Sequence, residues 1–160
     1  MTELRSMYAC GKLGRVVPLR LLPGTDLMNG IKQVCDDNGI RHGVVLSAIG
    51  TLRQLTINIF VPKPELKIGA GYNPPQTIPG PIEIMAIQGV IFETENGEVG
   101  LHLHGVFCDK KGSTLGGHIV PGGNPILATL DAVVGEVSGV RMLRRYDAET
   151  DLNLFSPEPL

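Results

Sequence analysis

Apolar and polar positions along this chain follow two rhythms, and the shorter, strand-like one dominates. Leu13 to Leu22 (LGRVVPLRLL) is a brief apolar run that predicts a strand. Pro18 cannot donate a ladder hydrogen bond, which places that strand at a sheet edge or a bulge. After Pro23-Gly24 the rhythm changes, and Leu27, Met28, Ile31, Val34 and Cys35 recur with helical spacing. Thr25 or Asp26 stands where a side-chain oxygen caps a helix, and Asn38-Gly39 where a left-handed residue ends one. Only this stretch predicts a helix with conviction.

Beyond it the pattern is β throughout. His42 to Gly50 is almost continuously apolar, as in a strand covered on both faces. Its small residues, Ser47, Ala48 and Gly50 among them, leave room for a ligand to approach. His42 itself, at the helix-to-strand junction, is expected at the surface or as a cap. Thr51 to Val61 predicts a further strand with Leu55, Ile57 and Ile59 on one face. Pro62 to Pro81 holds six prolines and three glycines and reads as a long excursion: a lid, an arm towards another subunit, or a mobile loop. Ile82 to Glu93 and Glu98 to Cys108 then form neighbouring strands through an Asn96-Gly97 turn. Pro121 to Pro125 breaks the chain, Ala128 to Val137 and Val140 to Tyr146 are strands, and the tail from Asp147 is expected to be loosely ordered. Glu83 and Glu136 are carboxylates set among apolar strand positions, so each is a candidate general base.

The chemistry concentrates between Leu101 and Ile119 (LHLHGVFCDKKGSTLGGHI), which holds three of the four histidines. His102 and His104, two residues apart in a strand, lie on one face. Lys110-Lys111-Gly112 fits a three-residue hairpin loop with Gly112 in the left-handed region, where a Cβ would clash. Such a loop pairs Asp109 with Ser113 and sets His104 across from His118, so all three imidazoles share a face. A two-residue loop, or a bulge at Gly116-Gly117, would send His118 to the other side. A lone His-x-His occurs on many surface strands. A third histidine returned to the same face is what a divalent ion requires, with a fourth position left for water or substrate. Cys108 shares the parity of His102 and His104, but Val106 intervenes, and a buried thiol is the simpler reading.

Composition narrows the partners. The chain has 160 residues, enough for one domain with a real core, and a formal net charge of −2. With a pI near 6.1, four per cent aromatics and no tryptophan, it has neither the basic character of a duplex binder nor the stacking surface of a single-strand binder. Three cysteines without CxxC spacing read as reduced thiols. No leader and no apolar run near the roughly 20 residues of a membrane span is visible, so a soluble cytoplasmic protein is expected.

PGTDLMNGIKQVCDDNGI, VVLSAIGTL, PIEIMAIQGVI and LHLHGVFCDKKGSTLGGHI, in this order and spacing, resemble the PPC (plants and prokaryotes conserved) domain family, also known as PD1-like DNA-binding proteins. The resemblance covers about residues 13 to 145, most of a chain that its length makes a single domain over 1–160, with 147–160 expected as a loose tail. It implies an α+β fold, mainly an antiparallel sheet with one long flanking helix, assembled as a homotrimer. For prokaryotic members it also implies a divalent-metal site, most simply zinc, at His102, His104 and His118. Plant members bind DNA through an AT-hook, a Gly-Arg-Pro core ahead of the domain. Here Gly14-Arg15 is followed by valine, so the chain resembles a member without a hook, and its residues give no support to direct DNA binding.

Two functions stand open. One is a metal-dependent enzyme or small-molecule binder with a pocket built from Ser47, Gly50, Glu83 and Glu136 beside the histidines. The other is a regulatory assembly module in which the metal stabilises the fold. A closed site with four protein ligands favours the second, and an open site in a pocket the first.

Overall fold

The computed structural model describes residues 5–160, and its organising feature is a ring of strands. Strand β1 (Lys12–Leu21) leads to helix α1 (Leu27–Asp37), followed by β2 (Gly43–Asn58), β3 (Phe60–Pro62), β4 (Ala70–Tyr72) and β5 (Gln76–Thr94). Then come β6 (Val99–Asp109), β7 (Thr114–Ile119), β8 (Ile126–Ser138), β9 (Val140–Asp147) and β10 (Leu152–Pro159). The main sheet runs β1-β8-β2-β7-β6-β5-β9-β10, and β2 also pairs with β5. Strands β2, β7, β6 and β5 therefore close on themselves. Leu52, Leu55, Ile82, Ile84, Ile87, Leu103, Phe107 and Ile119 are buried within this arrangement, at no more than 2% exposure. Closure removes free edges from these four strands, which the apolar faces then fill.

The expected α+β class is met by a mainly β structure with one helix, but the helix is not long. It has 11 residues and three turns, and buries Leu27, Met28, Gly30, Ile31 and Cys35. Asp26 caps it by accepting from Asn29 N–H, and also accepts from the backbone N–H groups of Gly122 and Asn124. At the other end Gly39 N–H bonds to Asp36 O and Ile40 N–H to Cys35 O, which turns the chain away after Asn38.

Strand β1 is an edge, the first of the two positions that Pro18 allows. Three other expectations change. The two strands expected over His42–Gly50 and Thr51–Val61 are one, because bulges near Val45/Ser47 and Gly50/Leu52 bend β2 without ending it. The proline-rich excursion is partly strand: β3 and β4 pair as a small hairpin, and β5 already begins at Gln76. The tail is not loose either. Strand β10 pairs with β9 along its whole length, from Leu152↔Asp147 to Pro159↔Val140, and Glu158 bridges Arg141 and Arg145 across that pair. Pro157 and Pro159 are tolerated because β10 is the outer edge.

Candidate metal centre

The histidine hairpin adopts the three-residue loop. Asp109 N–H bonds to Ser113 O and Gly112 N–H to Asp109 O, with Gly112 at φ +82°. The Asp109 carboxylate accepts from the backbone N–H groups of Lys111 and Ser113, which stiffens the turn and holds its pKa below the usual range. The register follows without a bulge: Cys108↔Thr114, Val106↔Gly116 and His104↔His118. Leu103 and Phe107 point into the core, so His102 and His104 stand on the outer face.

The three imidazoles converge there. Ring centroids are 5.0 Å apart for His102–His104 and for His102–His118, and 5.2 Å for His104–His118. One ligand atom from each lies within 4.8 Å of the others. The Nε2 atoms of His102 and His104 are 3.1 Å apart. Two ligands about 2.0–2.1 Å from a tetrahedral ion sit roughly 3.3–3.4 Å from each other, so the spacing is close to what such an ion imposes. The Nδ1 of His118 is buried and without a hydrogen-bond partner among the described residues, as is Oδ1 of Asn58, its cross-strand partner on β2. All three rings are held below the ordinary imidazole pKa. For His102 burial comes first, then the Arg144 guanidinium and the other two histidines, bringing it to about 4. Burial and then Arg144 lower His104; burial, His104 and Arg144 lower His118. The rings are neutral near pH 7, the state a metal ligand must be in.

Two features of this site were not read from the sequence. Tyr72, carried by the β3–β4 hairpin, lays its ring 4.9 Å from that of His118 at an interplanar angle of 33°, and Phe60 meets Tyr72 edge-on at 4.9 Å. Arg144 of β9 lies over the Phe92 ring at 5.6 Å. Only the arginines in Val140–Tyr146 hinted at the second.

The other candidates lie elsewhere. An open cleft of about 680 Å³ beside His102 and His104 is lined by Val44, Val45, Leu46, Gln88, Gly89 and Val90. None of Ser47, Gly50, Glu83 and Glu136 lines it. Gly50 passes so close to β8 that a Cβ would sit 2.1 Å from Thr129 O. Glu83 is exposed, opposite Cys108 and Thr51. Glu136 is engaged by Arg15 through two bonds of 2.8 and 2.9 Å, so its carboxylate is already paired. Cys108 is not part of the histidine group. His42 accepts from Met142 N–H through Nδ1 and serves the β9 backbone.

A β-rich domain with three histidines gathered on the outside of a closed ring is the class these features define. The chain belongs to the Plants and Prokaryotes Conserved (PCC) domain family, whose profile matches residues 8–138. Among solved structures, it resembles a metal-containing protein from Archaeoglobus fulgidus at 25% identity and a TM-score of 0.78, covering 95% of this chain and 99% of that one. A plant- and prokaryote-conserved (PPC) protein from Pyrococcus horikoshii superposes with a TM-score of 0.80 at 24% identity, covering 97% of this chain and all of the other. A candidate DNA-binding protein from Bacteroides thetaiotaomicron aligns at 26% identity and a TM-score of 0.74, over 94% and 98% of the two chains. In sequence, the chain is 32% identical over 136 residues to a bifunctional protein GlmU from Synechococcus sp. (strain JA-3-3Ab); the match takes 85% of this chain and 19% of that relative's length. No helix among the described residues is long and apolar enough to cross a membrane.

Proposed function

We propose that His102, His104 and His118 hold one divalent ion, zinc being the ion their donor chemistry fits best, and that the chain works as a small-molecule binder at this open centre. The convergence of three neutral imidazoles within 4.8 Å carries the reading. His118 Nδ1 and Oδ1 of its cross-strand partner Asn58 are both buried without a hydrogen-bond partner among the described residues, so the histidine stands beside a carbonyl of the kind that orients metal-ligating imidazoles. No fourth protein ligand joins the group among the described residues, and the cleft opens beside it. An open position in a cleft favours a ligand-binding role over a purely structural one. The likeness to a metal-containing relative agrees. When bound, the ion supplies a Lewis-acidic contact; the chain supplies apolar walls from Val44, Leu46 and Val90 and an amide from Gln88.

The working unit we propose is a homotrimer of this single domain. Ile49, Met85 and Val106 on adjacent strands are 45–54% exposed, apolar surface that copies of the chain would cover. Metal analysis of protein purified without chelator tests the site: about one equivalent per chain is expected, and no metal at any stage of a zinc titration rejects it. Light scattering tests the assembly: a mass of three chains is expected, and a monomer at all concentrations rejects it.

A further inference from the structure

Charge at this centre does not balance. Three neutral imidazoles around a divalent ion leave two positive charges, and Arg144 adds a third. Its guanidinium lies over Phe92, whose strand position is two removed from Val90, the residue paired with His102. Residues two apart on a strand share a face, so Phe92, Val90 and the histidines form one surface and Arg144 stands at its end.

Among the described residues no ion pair neutralises that cation. Arg141 and Arg145 pair with Glu158, whereas among the described residues no carboxylate pairs with Arg144. Its Nε donates to Asn153 O, which anchors the side chain and aims it. Glu95 lines the same crevice without forming an ion pair with it. An anchored guanidinium placed where it repels a bound metal ion is unfavourable, unless an anion lies between the two.

From this arrangement we infer that the ligand is a small organic carboxylate, and that Arg144 is the residue that recognises its charge. The inference rests on the metal site proposed above. The carboxylate head sits between the open side of the ion and the guanidinium, which presents its donors in a planar fork. The apolar body of the ligand lies along Val44, Leu46 and Val90. The cleft walls explain why the ligand is organic: inorganic phosphate would leave that apolar lining in contact with water.

Cobalt(II)-loaded protein provides the test, with benzoate as the probe and benzamide as its uncharged counterpart. Benzoate should perturb the visible cobalt spectrum saturably and benzamide should not. Arg144→Met should keep one cobalt per chain yet weaken benzoate at least about tenfold, the loss expected from one charge-assisted contact. Arg144→Lys, which retains the charge and guards against a simple folding defect, should recover part of the affinity. A protein that takes up no cobalt overturns the metal site and this inference with it. Cobalt uptake with a spectrum unmoved by benzoate, or equal benzoate affinity in wild type and Arg144→Met, overturns the inference and leaves the metal site standing.

Discussion

The ring of Tyr72 lies 4.9 Å from that of His118, although one comes from the proline-rich excursion and the other from the histidine hairpin. The excursion is thereby tied to the histidine cluster, and Phe60 meets Tyr72 edge-on. Tyr72→Ala should leave the metal stoichiometry unchanged but speed zinc release to a chromophoric chelator. Aromatic pairs are worth about 0.5–1.5 kcal/mol, which corresponds to roughly two- to tenfold in rate. Tyr72→Phe should release zinc at the wild-type rate. An unchanged rate in Tyr72→Ala would mean that the stacking is incidental.

The three histidines are nearly equivalent, at 5.0 to 5.2 Å between ring centroids, so none is the centre of the cluster. Alanine at His102, His104 or His118 should each remove most of the bound metal, as measured by inductively coupled plasma mass spectrometry. His42→Ala should retain it and instead lose stability, by about 1–3 kcal/mol, because Met142 N–H loses its acceptor. Retention of stoichiometric metal by His118→Ala would remove that residue from the ligand set.

Acid should destabilise the metal-free protein well before the carboxylates titrate. His102 has a folded pKa of about 4 against an ordinary value of 6.5, and His104 and His118 are displaced in the same direction. Between those values the unfolded chain binds more protons than the folded one, so stability is fully present above pH 6.5 and is lost as pH falls towards 4. Urea midpoints in EDTA should be higher at pH 7.5 than at pH 5, and His102→Gln should shrink the difference. Bound metal should steepen it, since protons and ion compete for the same nitrogens. A midpoint that rises in acid would contradict the burial argument.

Duplex DNA should bind weakly. Arg141 and Arg145 are both spent on Glu158 and Arg144 faces the histidine surface, so the three arginines of β9 form no common basic patch. With a net charge of −2, fluorescence anisotropy at physiological salt should give a Kd weaker than about 1 μM. Tighter binding would show that assembly creates a surface the single chain lacks.

Much of the candidate site was legible because it is local. Strand parity sets His102 beside His104, and Gly112 at φ +82° sets the loop length that returns His118 opposite His104. Both depend on residues within one hairpin. The place of the helix, a cap at Thr25 or Asp26 and the choice of edge or bulge for β1 were legible for the same reason; which cap, which position and how short the helix is came from the structure.

What escaped depends on pairing over long separations. Asp147 onward is acidic and proline-bearing, yet β10 forms, because β9 offers it a ladder and Glu158 meets two arginines there. Asn124 looked like part of a chain break. It is fully buried, with its side chain bonded to Thr56 N–H, Thr56 O and Val120 O, and its N–H bonded to Asp26. Glu136 had the parity of a catalytic base, but the β1–β8 pairing delivered Arg15 to it.

By itself, the sequence determined the β-rich class, the single helix and the three-histidine face, since periodicity and turn chemistry act between neighbours along the chain. Only the tertiary structure decided what surrounds that face: Tyr72 above His118, Arg144 over Phe92, and the cleft of Val44, Leu46 and Val90 in place of Ser47, Gly50, Glu83 and Glu136. Those contacts arise where β2 bends to meet both β5 and β7 and closes the ring, a balance of long-range pairings that no local pattern records.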